Sequence, residues 1–198
     1  MRAAEQDRPD VAGQRRRWRV WQRFMDPARF VFIDATGTAT NMARRYGRGA
    51  LGERLVAAVP HGHWRTTTFV AGLRQSGVTA PLVLDGPMTG TAFRAYVEQF
   101  LAPALAPGDV VVLDNLAAHK VKGGRRALAA AGAALLYLPP YSPDLNPIAQ
   151  LFAKLKALLR KAAARTKDVL WQAIGRLLAR LPPSECANYL NHCGYGST

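Results

Sequence analysis

The chain has 198 residues, of which 49% are hydrophobic, and it carries a formal net charge of +14. That length fits one domain or one domain with short appendages. The sequence contains no run of 18 apolar residues, so it predicts no membrane-spanning helix. An arginine-rich start without an apolar segment and only two cysteines argue against a secretory signal and a disulfide framework, so we predict a cytoplasmic location. The basic excess indicates a polyanionic partner, most simply nucleic acid, with a merely basic surface as the alternative.

The pattern of apolar residues predicts an N-terminal helix, then mostly strands, then alternating helices and strands, and finally helices. The predicted strands, in chain order, are "RFVFID" (29–34), "ERLVAAVP" (53–60), "TTTFVAGLR" (66–74), "TAPLVLDG" (79–86), "GDVVVLDN" (108–115) and "ALLYLPP" (134–140). The predicted helices cover 10–24, 91–105, 120–131, 147–164 and 167–181, with a short helix and a tail from residue 182. This order predicts an α/β fold with a mixed central sheet flanked by helices.

The stretch "YSPDLNPIAQLFAKLK" (141–156) predicts a loop that leads into a helix. Asn146 is a good N-cap residue, and Pro147 suits the first helical position because its missing N–H is not needed there. The third helical position after such a cap favours Glu or Gln, yet it holds Ala149.

Two predicted strands end in aspartates, Asp34 and Asp114. Sites in open α/β sheets form beyond the carboxyl ends of strands. A turn explains either aspartate alone better, whereas two of them in one basic chain favour a functional site. Carboxylates on adjacent strands repel each other unless a cation lies between them, and Mg²⁺ prefers such oxygen ligands. A pair of ions about 4 Å apart stabilises phosphoryl transfer, usually with a third acid from a nearby helix. Position 149 is where that acid would lie, so Ala149 predicts a lost ligand.

The segments "FIDATGT", "RRYGRG", "PHGHWRTTTFVAGLR", "LVLDGPMTG", "YVEQFLAPAL", "VVLDNLAAHK" and "LPPYSPDLNPIAQLFAKLKALLR" together resemble the catalytic domain of DDE transposases, in the bacterial insertion-sequence branch of the mariner-type superfamily. The resemblance covers residues 28–198. It implies an RNase H-like fold, dependence on Mg²⁺ or Mn²⁺, and cut-and-paste movement of DNA by hydrolysis and strand transfer. Asp34 and Asp114 match the first two catalytic acids of the family. Ala149 stands where the family has Glu, and Ala35 stands where Glu is common.

The resemblance also implies the partners. Double-stranded DNA, as transposon ends and target, is the expected partner, in the bacterial nucleoid, and a homodimer is left open. Residues 1–27 resemble only a helical linker, since the helix-turn-helix region of the family has no counterpart, so a separately encoded helix-turn-helix partner is also open. The candidate DNA-contacting residues are His119, Lys120, Lys154, Lys156, Arg160 and Lys161. The sequence is equally consistent with these residues forming part of a solvated surface or loop.

Two classes of function follow, with weaker alternatives behind them. One is a DDE transposase whose cleavage is weakened or lost through Ala149. The other is a DNA-binding protein that keeps the fold without the chemistry. A nucleotide-binding enzyme ranks lower because no G-x-x-x-x-G-K-[ST] loop occurs. A metal site made of His61, His63 and His119, or Asp144 as a substitute acid, ranks lower still, and we expect Asp144 to structure the loop before the helix.

Overall fold

Five strands form a single mixed sheet in the structure, a computed structural model that describes residues 3–44, 46–56, 58–114 and 122–196. The order across the sheet is β3-β2-β1-β4-β5, with β1 antiparallel to β2, β2 antiparallel to β3, and β1, β4 and β5 mutually parallel. The strands are β1 (Phe30–Ala39), β2 (Thr66–Arg74), β3 (Gly77–Leu84), β4 (Val110–Leu113) and β5 (Ala134–Tyr137). The predicted mixed central sheet is therefore confirmed.

Helices flank this sheet in nearly the places that the apolar spacing predicts. They are α1 (Pro9–Trp21), α2 (Gly90–Tyr96), α3 (Lys122–Ala130), α4 (Pro147–Ala162), α5 (Lys167–Leu178) and α6 (Pro183–His192). The helix predicted over 91–105 is helical over nearly that range, since α2 passes into a π-helical turn (Val97–Leu101) and then into a final 3-10 turn (Ala102–Ala104) that contains Pro103. Within the described residues, no helix is both long enough and apolar enough to cross a membrane.

Alternation along β1 divides the core into two layers. Phe30 and Phe32 point to the layer that α4, α5 and α6 cover, whereas Val31 and Ile33 point to the layer that α2 and α3 cover. Helix α4 closes its layer with one apolar stripe, made of Ile148, Leu151, Phe152, Leu155 and Leu159. The start of α4 is thereby held against the central strands.

The strand predicted from "ERLVAAVP" is wrong, since the described residues of 53–60 form no strand. A strand needs a neighbouring edge for its backbone groups. Here β1 and β2 pair directly with each other as far as Ala39 and Thr66, and the chain between them forms a connection. Three apolar residues of the predicted strand, Leu55, Val56 and Val59, are exposed.

Helix α1 packs onto the same layer as the C-terminal segment. Val11 is buried, the indole N–H of Trp18 donates to the Tyr195 hydroxyl at 2.8 Å, and the side-chain amide of Gln22 donates to the Cys193 carbonyl at 3.2 Å. These contacts tie both ends of the described chain to one side of the sheet.

Candidate active site

Asp34 and Asp114 lie side by side on the two central parallel strands. The register of β1 and β4 pairs Ile33 with Leu113, and the two aspartates are the next residues. Each follows by two positions a residue of the α4-side layer, Phe32 or Val112, so both side chains project towards α4. Asp34 does not end its strand as predicted, because β1 continues along β2 to Ala39 after its pairing with β4 has stopped.

A cleft of about 550 Å³ contains both aspartates and position 149. Its floor is formed by Asp34, within β1, and Asp114, directly after β4, and its wall is the proline-rich loop after β5 together with the first turn of α4. Besides Asp34, Asp114 and Ala149, the lining residues are Leu138, Pro139, Pro140, Tyr141, Ser142, Pro143 and Asn146. The three positions that the sequence singled out as a metal site therefore lie around one space, with a methyl group at the third.

Asn146 does not cap α4 with its side chain, contrary to the prediction. Its side-chain amide instead donates to Oδ2 of Asp34 at 3.3 Å, while Oδ1 of Asp34 accepts from the backbone N–H of Ala35 at 2.7 Å. Only the Asn146 carbonyl serves the helix start, where it accepts from the N–H of Ala149 at 3.1 Å. The side chain of Asn146 thus makes the contact with Asp34 and no capping bond.

Asp144 faces away from the cleft and towards α1. Arg15, which is only 7% exposed, donates to both of its carboxylate oxygens at 2.9 and 2.7 Å and also to the hydroxyl of Ser142 at 2.7 Å. Arg19 adds a further bond at 3.1 Å. Burial opposes ionisation, but the bonds and charge of the arginines outweigh it, so the pKa of Asp144 lies below its ordinary value. As expected from the sequence, Asp144 structures the loop and is not among the residues that line the cleft.

The donor set of the cleft suits one hard divalent ion better than two. Mg²⁺ needs only one or two carboxylates because it keeps several waters, and Asp34 and Asp114 can supply them. Among the described residues, the lining of the cleft includes no third acid, and Ala149 carries no ligand atom. No cluster of three His, Cys, Asp or Glu side chains suited to a metal occurs among the described residues. His61 and His63 are exposed, and His119 lies outside the described residues.

The predicted DNA-contacting residues of α4 divide between two sides of the helix. At about 100° per residue, Lys156 and Arg160 fall on the side of Ala149, and Lys154 and Lys161 fall on the other side. The ammonium of Lys154 lies against the Glu185 carboxylate of α6, at 2.5 and 2.7 Å. The structure thus singles out Lys156 and Arg160 as the basic residues that follow the cleft along the helix. His119 and Lys120 lie outside the described residues.

Sequence reasoning missed two residues that shape the cleft. Arg15 sits in a run of three arginines, and nothing in that run distinguishes the buried member from its neighbours. The sequence singles out Asn146 as a helix cap, whereas its side chain contacts Asp34 in the structure. The signal available for it was its place directly before Pro147 and two positions after Asp144, which marks a constrained turn but not the partner of its side chain.

Comparison with known proteins gives the fold and the family. The structure is similar to three solved structures of Mos1 transposase: a paired-end complex with left transposon end (TM-score 0.79, 16% identity), a mariner paired-end complex with Mn (0.82, 17%) and the mariner catalytic domain (0.70, 14%). Each match covers 98% of this chain, and 62%, 61% and 91% of the respective Mos1 chain. This chain therefore spans about three fifths of the length of the Mos1 chains in the two complexes.

At such low identity these matches establish the fold, which is the RNase H-like fold of the Mos1 catalytic domain. No curated protein matches the sequence. The model of one family, described as DDE superfamily endonuclease, matches residues 29–170, which include Asp34, Asp114 and Ala149. The chain therefore belongs to the DDE superfamily endonucleases.

Proposed function

We propose that this chain is the catalytic domain of a cut-and-paste DNA transposase in which cleavage is weak because the third acid is missing. The observation that carries the proposal is the shared cleft, where Asp34 and Asp114 lie beside position 149. Membership of the DDE superfamily endonucleases supports the reaction class. The domain would comprise residues 28–198, and residues 1–27 would serve as a helical linker.

Asp34 and Asp114 would hold a divalent ion, Mg²⁺ or Mn²⁺, through their carboxylate oxygens. Such an ion supplies Lewis-acid stabilisation of a phosphoryl oxygen and lowers the pKa of a bound water. The chain itself fixes Asp34 through the N–H of Ala35 and the amide of Asn146. Arg15 pins the proline-rich loop beside the cleft by donating to the Tyr141 carbonyl and the Ser142 hydroxyl. Ala149 contributes no ligand, so a second ion would lack a direct contact with α4.

Double-stranded DNA is the proposed substrate. The net charge of +14 favours a polyanion, and Lys156 and Arg160 continue along α4 from the side of the cleft. Mos1 transposase, similar in fold, has been crystallised with left transposon end and with Mn. We also propose, from the resemblance in sequence, that the DNA substrates are transposon ends and target DNA. The source would be a bacterial insertion-sequence element, and the protein would act in the nucleoid. Its protein partner would be a second copy of the chain or a separately encoded helix-turn-helix protein.

A DNA-binding protein without cleavage activity is the second candidate. Ala149 favours it, because a cleft with two carboxylates can still bind one ion but lacks the ligand for a second ion on the other side of the phosphoryl group. Both candidates predict binding of DNA, and they differ only in whether the cleft cuts it.

The deciding experiment is nicking of supercoiled plasmid DNA by the chain as given, with Mg²⁺ or Mn²⁺. We expect slow, metal-dependent nicking that Asp34→Asn and Asp114→Asn abolish while both variants still bind the plasmid. Binding without any nicking would favour the second candidate. Nicking that both variants retain would show that the cleft is not the active site.

A further inference from the structure

Asn146 occupies the N-cap position of α4 and leaves the capping bond unmade. It is only 6% exposed, and a buried amide needs hydrogen-bond partners. A side-chain cap on the first turn of a helix is one of the commoner stabilising contacts available to Asn. The amide nevertheless points to Oδ2 of Asp34, a residue 112 positions earlier in the chain.

The bond from Asn146 complements a second bond to the same carboxylate. Oδ1 of Asp34 is held by the N–H of Ala35 at 2.7 Å, and Oδ2 is held by Nδ2 of Asn146 at 3.3 Å. Two donors on the two oxygens fix the rotation of the carboxylate as well as its position. Ligating carboxylates in metal sites are typically oriented by such partners.

The residue type fits this task better than any other common N-cap residue. Ser, Thr, Asp and Asn all cap helices well. Asp in this place would set a second negative charge against Asp34, and the hydroxyl of Ser or Thr stands closer to the backbone. Asn alone combines a longer reach with a neutral N–H₂ donor.

We propose that Asn146 is a positioning residue that holds Asp34 in the orientation needed to bind a divalent ion. The inference rests on the proposed function, because it takes Asp34 and Asp114 as metal ligands. Asn146 and position 149 both belong to the start of α4. The same helix start would therefore orient the ligand Asp34 and carry the position of the missing third acid.

The test is Asn146→Ser, which keeps a good capping residue and removes the amide. Mn²⁺ binding to the full chain is measured by titration calorimetry, and stability by the urea midpoint. We expect Mn²⁺ affinity to fall 10–100-fold, the range typical for loss of an orienting partner, while the midpoint stays at or above that of the unmodified chain. Thr166→Ser is the matched control, because Thr166 caps α5 through the N–H of Val169 and is not among the residues that line the cleft. It should leave Mn²⁺ affinity unchanged.

Asp114→Asn separates failure of this inference from failure of the proposed function. If Asp114→Asn weakens Mn²⁺ binding and Asn146→Ser leaves it within twofold, the metal site stands and the positioning role is overturned. If the unmodified chain does not bind Mn²⁺, or Asp114→Asn leaves its affinity unchanged, the proposed metal site falls and the inference falls with it. A drop in affinity accompanied by an equal drop for Thr166→Ser would also overturn the inference, since it would reflect a general effect of helix capping.

Discussion

Ala149 places a methyl group on a cleft that two carboxylates share. Ala149→Glu would add a third carboxylate at the start of α4, where the helix dipole favours negative charge. We expect the number of Mn²⁺ ions bound per chain to rise from about one to about two, because the second ion gains a direct ligand. Nicking of plasmid DNA should rise roughly 10–100-fold. Calorimetry and a gel assay measure these two effects.

The control for this substitution is Ala157→Glu. Ala157 is exposed on α4, about 12 Å further along the helix at 1.5 Å per residue. A glutamate there adds the same charge away from the cleft. It should change neither the metal stoichiometry nor the nicking rate. Equal effects of the two substitutions would mean that charge alone, and not a ligand at position 149, is responsible.

Arg15 is the buried arginine that joins α1 to the loop beside the cleft. Arg15→Ala would remove two bonds to Asp144, one to the Ser142 hydroxyl and one to the Tyr141 carbonyl, while Arg19 would keep a single exposed contact. Hydrogen bonds to charged groups are the stronger kind, but Asp144 is partly exposed, so we expect a loss of about 2 kcal/mol in the free energy of unfolding. Urea denaturation measures it.

The neighbouring Arg16→Ala removes the same charge from an exposed position of α1. It should change the free energy of unfolding by less than about 0.5 kcal/mol. If the two variants lose equal stability, the buried network around Arg15 contributes nothing beyond surface charge.

At the scale of the elements, one ion pair ties β2 to β4 across the end of β1 that is remote from the cleft. Arg74 closes β2, and its guanidinium binds Asp109, just before β4, at 3.0 and 2.6 Å. The N–H of Ala106 also donates to this carboxylate. Burial alone would raise the pKa of Asp109, but Arg74 and Ala106 outweigh it and lower the pKa.

Asp109→Asn should therefore destabilise the chain in a pH-dependent way. A carboxyl with a lowered pKa stabilises the fold fully above its unfolded-state pKa, near 3.8, and loses that contribution as the pH falls through the lower folded-state value. We expect a loss of about 1–3 kcal/mol at pH 7 that shrinks below about pH 4. Urea midpoints between pH 3 and pH 7 measure it, and a constant difference across that range would contradict the assignment.

Most elements could be predicted because short apolar runs and helical stripes are local signals, as in β4 and α4. The extent of β1 could not, since its continuation past Asp34 depends on pairing with β2, more than 25 residues later. For the same reason the strand predicted at 53–60 failed, because its composition suits a strand but no edge receives it. The sequence could place two aspartates and Ala149 near one another, but which partner Asn146 prefers is decided only when α4 meets β1.

At the scale of the whole molecule, the charge of +14 is unevenly available for binding. Lys154 binds Glu185, and Lys167 binds Asp85, so these two cations are partly neutralised within the chain. Lys156 and Arg160 share the side of α4 that begins at position 149, about 10 and 16 Å along the helix from it. If a duplex enters the cleft as proposed, these two side chains are the ones placed to contact its phosphates.

Double substitution of Lys156 and Arg160 by Ala tests this placement. Each cation that neutralises a phosphate contributes about 0.9 to the slope of log affinity against log salt, so the slope should fall by nearly 2 when both are removed. The unmodified chain, if it neutralises about 6–10 phosphates, should lose roughly 10³–10⁵-fold in affinity between 50 and 200 mM salt. Fluorescence anisotropy with a random-sequence duplex measures both quantities.

Lys154→Ala is the matched control and should leave the slope unchanged, because the ammonium of Lys154 is already bound to Glu185. An equal fall in slope for Lys154→Ala, or none for the double variant, would show that DNA does not follow the side of α4 that leads from the cleft.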